Sequence, residues 1–238
     1  NRRLLQHISL PLPAGEAVTL EKFSWIATSL DADFLPESDW SSRCLASLSA
    51  CAQQGYGHLL MENTRHWQHY WQDSRVCVTS DHPQDQRALD FALYHLKLMI
   101  PAHDARASVA AKGLTGEGYK GHVFWDTEIF ILPFALLNAP EQARKLLEYR
   151  YLNLTQAQEK ARRSGYQGAL FPWECAFSGE EETPEFAAIN IRTGQRQRVA
   201  SAMAEHHLVA DIAYATVGYF QATRDAEFMQ QMGLVLLK

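Results

Sequence analysis

Apolar side chains recur every three or four positions along most of the chain, which is the pattern of amphipathic helices. The first helix is predicted over residues 38–71, with its first residue as the cap and with Gly55 and Gly57 as positions where it could break. A second helix is predicted from Pro83 to Pro101, because proline suits the first turn of a helix and stops a helix that reaches it. We therefore expect a mainly helical fold from residue 38 onward.

Later helices follow the same periodicity. One is predicted after Asp126, where Pro133 should kink it or set the point at which regular hydrogen bonding begins. Others are predicted from Pro140, across Ala204–Thr223, and after a cap at Asp225. The buried face of the Ala204–Thr223 helix is predicted to carry Leu208, Ile212, Ala215 and Tyr219.

Two segments lack helical periodicity. Gly165–Glu182 is irregular and marked by glycine and proline, and Ala187–Val199 suggests a small hairpin that turns at Thr193–Gly194. Short joints between helices alternate with these long loops, as in a toroid of helical hairpins. An ordinary helical bundle is the alternative, but it leaves long loops rich in Trp, Glu and Gly unexplained.

The first residues follow a different pattern. Arg3–Leu12 and Ala17–Ile26 are predicted to be strands, joined by a turn at Pro13–Gly15. Since two strands alone are not stable, we expect them to be the end of a β domain whose earlier strands lie outside this sequence. The apolar run Phe228–Lys238 ends without a stop signal, so both ends of the chain are expected to be cut.

The composition is that of an ordinary globular protein, with 47% hydrophobic and 21% charged residues among 238. A net charge of −5 without a basic block argues against nucleic acid as a partner. No apolar run is long enough for a membrane span, so no membrane partner is expected. The four cysteines show no C-x-x-C spacing, and we expect them to be reduced in a cytoplasmic protein.

Three clusters carry candidate chemistry. The segments Phe124-Trp125-Asp126 and Trp173-Glu174 each place a carboxylate beside an indole, a combination that suits sugars, because a pyranose has an apolar C–H face and hydroxyl donors. Asp126 has an alternative role as the N-cap of the following helix. The third cluster spans 205–211 and includes His207 and Asp211, four residues apart on a predicted helix. No third ligand is spaced to complete a metal site there, so no metal is expected. The acidic run Glu180–Glu182 is interpreted as a solvated face.

The loop sequences are similar to those of a known family. Residues 113–128 contain four glycines within nine positions before the Trp-Asp pair, and they closely resemble the signature of glycoside hydrolase family 65. Residues 168–174, 181–186 and 207–214 also resemble family motifs. The resemblance implies a mainly α fold: the end of an N-terminal β-sandwich over 1–33, a helical linker over 34–78, and the first half of an (α/α)6 catalytic barrel, truncated, over 79–238.

The family resemblance implies a reaction. An α-linked glucose disaccharide, with kojibiose favoured, is cleaved by inorganic phosphate with inversion, giving β-glucose 1-phosphate and glucose. Phosphate is a co-substrate, and no cofactor is implied. By resemblance, Trp125 and Asp126 hold the transferred glucosyl unit, with Phe124, Trp173 and Glu174 lining the same pocket. His207 and Asp211 are implied to have a supporting role, and the full-length protein is implied to be a homodimer.

The family's general acid and phosphate-binding loop belong to later segments that this sequence does not contain. We therefore expect the acid beyond Lys238, assign no catalytic residue within the chain, and expect the chain alone to be inactive. Glu128 and Glu174 are acidic but are not supported as the acid by the resemblance. Two alternatives are an inverting hydrolase, in which water replaces phosphate, and a non-catalytic carbohydrate-binding protein on the same scaffold.

Overall fold

The computed structural model describes residues 5–31, 39–113, 116 and 118–238. The chain divides into two compact units, Asn1–Ser74 and Arg75–Lys238. The described residues are mainly helical, as predicted. The predicted β-sandwich, linker and barrel divisions of the chain stay predictions. Within the described residues, none of the helices combines the length and hydropathy that crossing a membrane requires.

The first unit begins with an extended segment rather than with strands. Residues 5–31 turn once, where the N–H of Glu16 donates to the carbonyl of Pro13 (3.2 Å) and Gly15 has φ +83°. The turn was predicted correctly, but in residues 5–31 the predicted strands at 3–12 and 17–26 do not form. A strand exists only where a neighbour pairs its N–H and C=O groups, and the described residues supply none alongside. The first four residues lie outside the described part.

Helix α1 spans Trp40–Ser74 and is divided at Gly55, whose φ of +78° and ψ of 159° are not helical. Only glycine adopts such a backbone readily, so the predicted break is confirmed at this position. The predicted cap, Ser38, lies outside the described residues; the Asp39 carboxylate instead accepts the N–H of Ser42 at 3.2 Å.

The second unit starts with α2, Pro83–Met99, which agrees with the prediction. A π-helical turn, Thr127–Ile131, precedes α3, and Pro133 lies in the first turn of α3. Because proline lacks an N–H, regular α-helical bonding begins only around it, as predicted. Helix α3 spans Leu132–Asn138. The α-helices described after it are α4 (Pro140–Leu152), α5 (Leu154–Arg163), α6 (Ser201–Ala204), α7 (His207–Thr223), α8 (Ala226–Phe228) and α9 (Leu234–Leu236), with a π-helical turn at Met229–Gly233.

The core of the second unit lies where α3, α4 and α7 pack together. Leu146 and Leu147 of α4 are fully buried, and Tyr219 of α7 and Phe228 of α8 pack into the same cluster. Asp225 caps α8 by accepting the N–H of Phe228 at 2.9 Å, as predicted. The predicted buried face of α7 is confirmed: Leu208, Ile212, Ala215 and Tyr219 are all buried.

The two long loops have the predicted character. Residues 165–182 contain turns but no helix. Residues 185–199 form a hairpin, in which the N–H of Ala187 donates to Gln197 and the N–H of Val199 donates to Glu185, both at 2.9 Å. Gly194, with φ +69°, follows its turn.

Candidate functional site

Two loops of the second unit are paired directly. We call residues 118–126 the WD loop and residues 168–182 the WE loop. The N–H of Val123 donates to the carbonyl of Cys175 at 2.8 Å, and the N–H of Cys175 donates back to Val123 at 3.1 Å. Tyr149 of α4 supports this contact, because its hydroxyl donates to the carbonyl of Ala176 at 2.7 Å. The pairing therefore brings together two motifs that are about fifty residues apart in sequence.

The imidazole of His207 lies between the two indoles. Its ring centroid is 4.9 Å from that of Trp125 and 5.8 Å from that of Trp173, with near-perpendicular ring planes in both cases. Phe124 is buried and contacts Trp173 edge-on at 5.9 Å. The structure thus brings the three predicted clusters into one aromatic group at the start of α7.

Asp126 opens the π-helical turn, but its side chain makes no capping hydrogen bond. Asp126 therefore stands at the N-cap position, but the capping role considered for its side chain is not the one that the structure shows. Among the described residues, nothing donates a hydrogen bond to its half-buried carboxylate or forms an ion pair with it. As far as the described residues are concerned, the carboxylate is therefore free to accept hydrogen bonds from a ligand.

The carboxylate of Glu174 has a protein partner that the sequence analysis did not identify. His122 places Nδ1 2.7 Å from Glu174 Oε1, and both side chains are largely buried. Because an ionised carboxylate only accepts, the imidazole donates through Nδ1. His122 belongs to the WD loop and Glu174 to the WE loop, so this hydrogen bond links the two loops through their side chains.

His207 is itself oriented by acidic neighbours. Its Nδ1 lies 2.6 Å from Asp211 Oδ2, the contact expected for residues four apart on a helix. Its Nε2 lies 3.5 Å from Glu205 Oε2. Within the described residues, no three His, Cys, Asp or Glu side chains are grouped as metal ligands would be.

Glu128 is buried against Arg150 of α4 and is not part of the aromatic group. Arg150 of α4 donates from Nε and Nη2 to the two carboxylate oxygens of Glu128, at 2.7 and 2.8 Å, and Nη2 also donates to the carbonyl of Phe124 at 3.1 Å. Both side chains are almost completely buried. Burial alone would lower the pKa of Arg150, but the charge and hydrogen bonds of Glu128 outweigh it and raise that pKa.

Arg150 stands at helical spacing from Leu146 and Leu147 on the helix predicted from Pro140, and the sequence analysis assigned it no role. An arginine on the apolar face of a predicted helix was the available signal, since such a residue is seldom buried without an acidic partner. Through its hydrogen bonds to Glu128 and to the Phe124 carbonyl, Arg150 connects α4 to the end of the WD loop and to the π-helical turn after it.

Two cavities within the described part of the second unit lie away from the candidate site. One of about 630 Å³ runs along α5, and another of about 430 Å³ lies between α5, α7 and α9. None of the predicted site residues lines either of these two. The expectation that Trp125 and Asp126 hold a glucosyl unit in a pocket stays a prediction.

Comparisons with known proteins place the sequence among carbohydrate-active enzymes. The profile of the glycosyl hydrolase family 65 central catalytic domain matches residues 90–238, and that of the family's N-terminal domain matches residues 1–70.

Individual relatives agree with the profiles. A kojibiose phosphorylase of Escherichia coli (strain K12) is 61% identical over 99% of this chain and 31% of its own length. A kojibiose hydrolase of Flavobacterium johnsoniae is 41% identical over 79% of this chain and 25% of its own length. A solved structure, provisionally described as a kojibiose phosphorylase from the human microbiome, has a TM-score of 0.69 at 27% identity, covering 83% of this chain and 24% of that one. The chain spans about a third of the length of the E. coli relative.

Proposed function

The chain belongs to glycosyl hydrolase family 65, and from this membership we propose that it forms part of the catalytic domain of an inverting disaccharide phosphorylase. The proposed domain is an (α/α)6 barrel preceded by a β-sandwich. Kojibiose is the favoured substrate, because the relative that is 61% identical carries that name. The cytoplasmic location and the homodimer expected from the sequence stay predictions.

One structural observation carries the proposal. The Val123–Cys175 pairing sets Trp125 and Asp126 beside Trp173 and Glu174, with the Asp126 carboxylate unpartnered among the described residues. An aromatic face next to an available acceptor is the arrangement that a glucosyl unit requires. We propose that Trp125 packs on the apolar face of the transferred sugar and that Asp126 accepts its hydroxyls.

The remaining members of the group have supporting roles in this proposal. Phe124 is buried and packs edge-on against Trp173, while His122 holds the carboxylate of Glu174 by a hydrogen bond of 2.7 Å. His207, oriented by Asp211, separates the two indoles and sets the distance between them.

The proposed chemistry is a displacement at the anomeric carbon. A carboxylic acid donates its proton to the departing glycosidic oxygen, and phosphate attacks from the opposite face, giving β-glucose 1-phosphate and glucose. Phosphate is itself the nucleophile, so no protein base has to activate water. Two acidic candidates in the described chain already have strong partners: Glu128 is bound by Arg150, and Glu174 contacts His122. We therefore assign the acid role to neither residue.

Hydrolysis is the second candidate, because the Flavobacterium johnsoniae relative is named a kojibiose hydrolase at 41% identity. Water would then take the place of phosphate. The two reactions differ in product: phosphorolysis yields one glucose and one glucose 1-phosphate, whereas hydrolysis yields two glucose molecules. A carbohydrate-binding protein without catalysis would yield neither.

The test uses the natural full-length protein with kojibiose, maltose, trehalose or nigerose, with and without inorganic phosphate. We expect glucose 1-phosphate from kojibiose, formed only when phosphate is present. Equal glucose release without phosphate would establish the hydrolase instead. Binding of glucose or a disaccharide without any product would establish the non-catalytic alternative.

We predict that His207→Gln in the full-length enzyme raises the KM for the disaccharide about tenfold and changes kcat less. Aromatic pairs contribute ~0.5–1.5 kcal/mol each beyond area burial, and His207 makes two such contacts. Its loss therefore lets both indoles relax away from the sugar. Steady-state kinetics with varied disaccharide measures the effect.

Two further variants control this test. His207→Phe keeps an aromatic ring between the indoles and should retain most of the affinity. His206→Gln changes the neighbouring exposed histidine, which contacts Tyr166 instead, and should leave KM unchanged. If His207→Phe weakened binding as much as His207→Gln, the packing explanation would be wrong.

A further inference from the structure

The carboxylate of Glu181 is saturated with donors. Its Oε2 accepts from the ammonium of Lys160 at 2.5 Å and from the N–H of Trp173 at 3.0 Å. Its Oε1 accepts from the N–H of Glu174 at 3.2 Å and from the hydroxyl and N–H of Thr183 at 2.6 and 3.3 Å. Five donors on one side chain correct the interpretation of residues 180–182 as a solvated face: Glu180 and Glu182 are exposed, but Glu181 is not.

Glu181 and Lys160 fasten the WE loop to α5. Lys160 of α5 also donates to the carbonyl of Phe171 at 3.4 Å, so one ammonium reaches both ends of the segment that carries the Trp-Glu pair. The N–H of Glu182 closes the loop by donating to the carbonyl of Glu174 at 2.8 Å. The backbone of Trp173 and Glu174 is thus held by a side chain seven or eight residues further along.

The interaction is more than a solvent-exposed ion pair. The side chains of Lys160 and Glu181 are only 18% and 20% exposed. Burial by itself raises the pKa of Glu181, but the hydrogen bonds from Lys160 and Thr183 outweigh it and hold the pKa below its ordinary value. The group is therefore charged at neutral pH, and hydrogen bonds to a charged acceptor are stronger than neutral ones.

We propose that Glu181 is a positioning residue, which fixes Trp173 and Glu174 for sugar binding by holding their two backbone N–H groups, with Lys160 as its anchor. Its part in sugar binding rests on the function proposed above. Glutamine at position 181 would present an NH₂ group to donors on one side, so a substitution of nearly the same shape breaks the arrangement.

Amide hydrogen exchange tests the contact without reference to activity. In Glu181→Gln we expect exchange at the amides of Trp173 and Glu174 to accelerate at least tenfold, while the amides of the α4 core stay protected. Glu180→Gln is the matched control, because the described residues give the Glu180 side chain no partner, and it should exchange as the natural protein does. Unchanged exchange at those two amides in Glu181→Gln, or equal acceleration throughout the protein, would overturn the proposal.

Kinetics then tests the role in binding. In Glu181→Gln we expect the KM for the disaccharide to rise about tenfold with a smaller change in kcat, and no change in Glu180→Gln. If Glu181→Gln does not fold, Lys160→Met is the deciding variant. It keeps the Glu181 carboxylate as acceptor but removes the ammonium that holds it, and it should accelerate exchange at the amides of Trp173 and Glu174. Faster exchange with an unaltered KM would reject positioning. If the natural protein forms no glucose 1-phosphate, the proposed function fails, whereas the exchange result stands independently.

Discussion

Replacing Asp126 by asparagine in the natural full-length enzyme is expected to lower kcat/KM for the disaccharide at least a hundredfold. The carboxylate is half-buried and has no partner among the described residues, so its acceptor capacity is left for the substrate. Charge-assisted hydrogen bonds contribute about 1.5–3 kcal/mol each, and two sugar hydroxyls would lose that contribution together. A loss of about 3 kcal/mol already exceeds a hundredfold in rate.

Stability separates this explanation from a structural one. Since Asp126 makes no capping bond, Asp126→Ala should leave the melting temperature nearly unchanged, whereas replacing a true cap by alanine costs about 0.5–2 kcal/mol. Asp81→Asn is the control, because it changes an exposed aspartate at the start of the second unit. Kinetics of Asp126→Asn indistinguishable from those of Asp81→Asn would remove Asp126 from the proposed site.

The largest loss of stability is expected for Arg150→Met. Arg150 and Glu128 are a fully buried, doubly hydrogen-bonded pair, and the substitution leaves the Glu128 carboxylate charged, buried and alone. Breaking such a pair costs about 3–5 kcal/mol. For a domain of this size, that corresponds to a melting temperature lower by roughly 6–20 °C. Thermal unfolding followed by circular dichroism measures the shift.

Two comparisons make the Arg150 test specific. Arg163→Met removes an exposed arginine that pairs with Glu159 at the surface, and such pairs contribute little, so its melting temperature should change far less. The double substitution Glu128→Leu with Arg150→Met removes the stranded charge and should regain part of the loss. If Arg150→Met lowered the melting temperature no more than Arg163→Met does, the buried ion pair would not stabilise the protein as argued here.

Helices were predictable from the sequence because their signals are local. Pro83 and Pro140 open α2 and α4 as predicted, and the buried face of α7 follows from residues three or four apart. The strands predicted before residue 27 were wrong within the described residues, because apolar alternation shows only that a segment can pair. Whether another strand lies alongside to pair with it depends on the rest of the fold and cannot be inferred from the segment itself.

The site was predictable in residue type but not in its connections. The motifs indicated candidate side chains, and the structure brings Trp125, Trp173 and His207 together, while their role in binding stays a prediction. Neither His122 on Glu174 nor Glu181 on the backbone of Trp173 could be inferred, since no local pattern indicates which distant group a side chain contacts. Glu181 was misinterpreted because it lies between two glutamates that are exposed.

The pairing of Val123 with Cys175 also bears on the order in which the molecule assembles. Bringing two positions about fifty residues apart into contact costs chain entropy that grows with the logarithm of their separation. Helices α4 and α5 lie between these positions, so their prior formation shortens the flexible path that must close. Contacts between distant residues form slowly compared with helices. A nascent chain would therefore acquire its helical content first and the pairing of the WD and WE loops last.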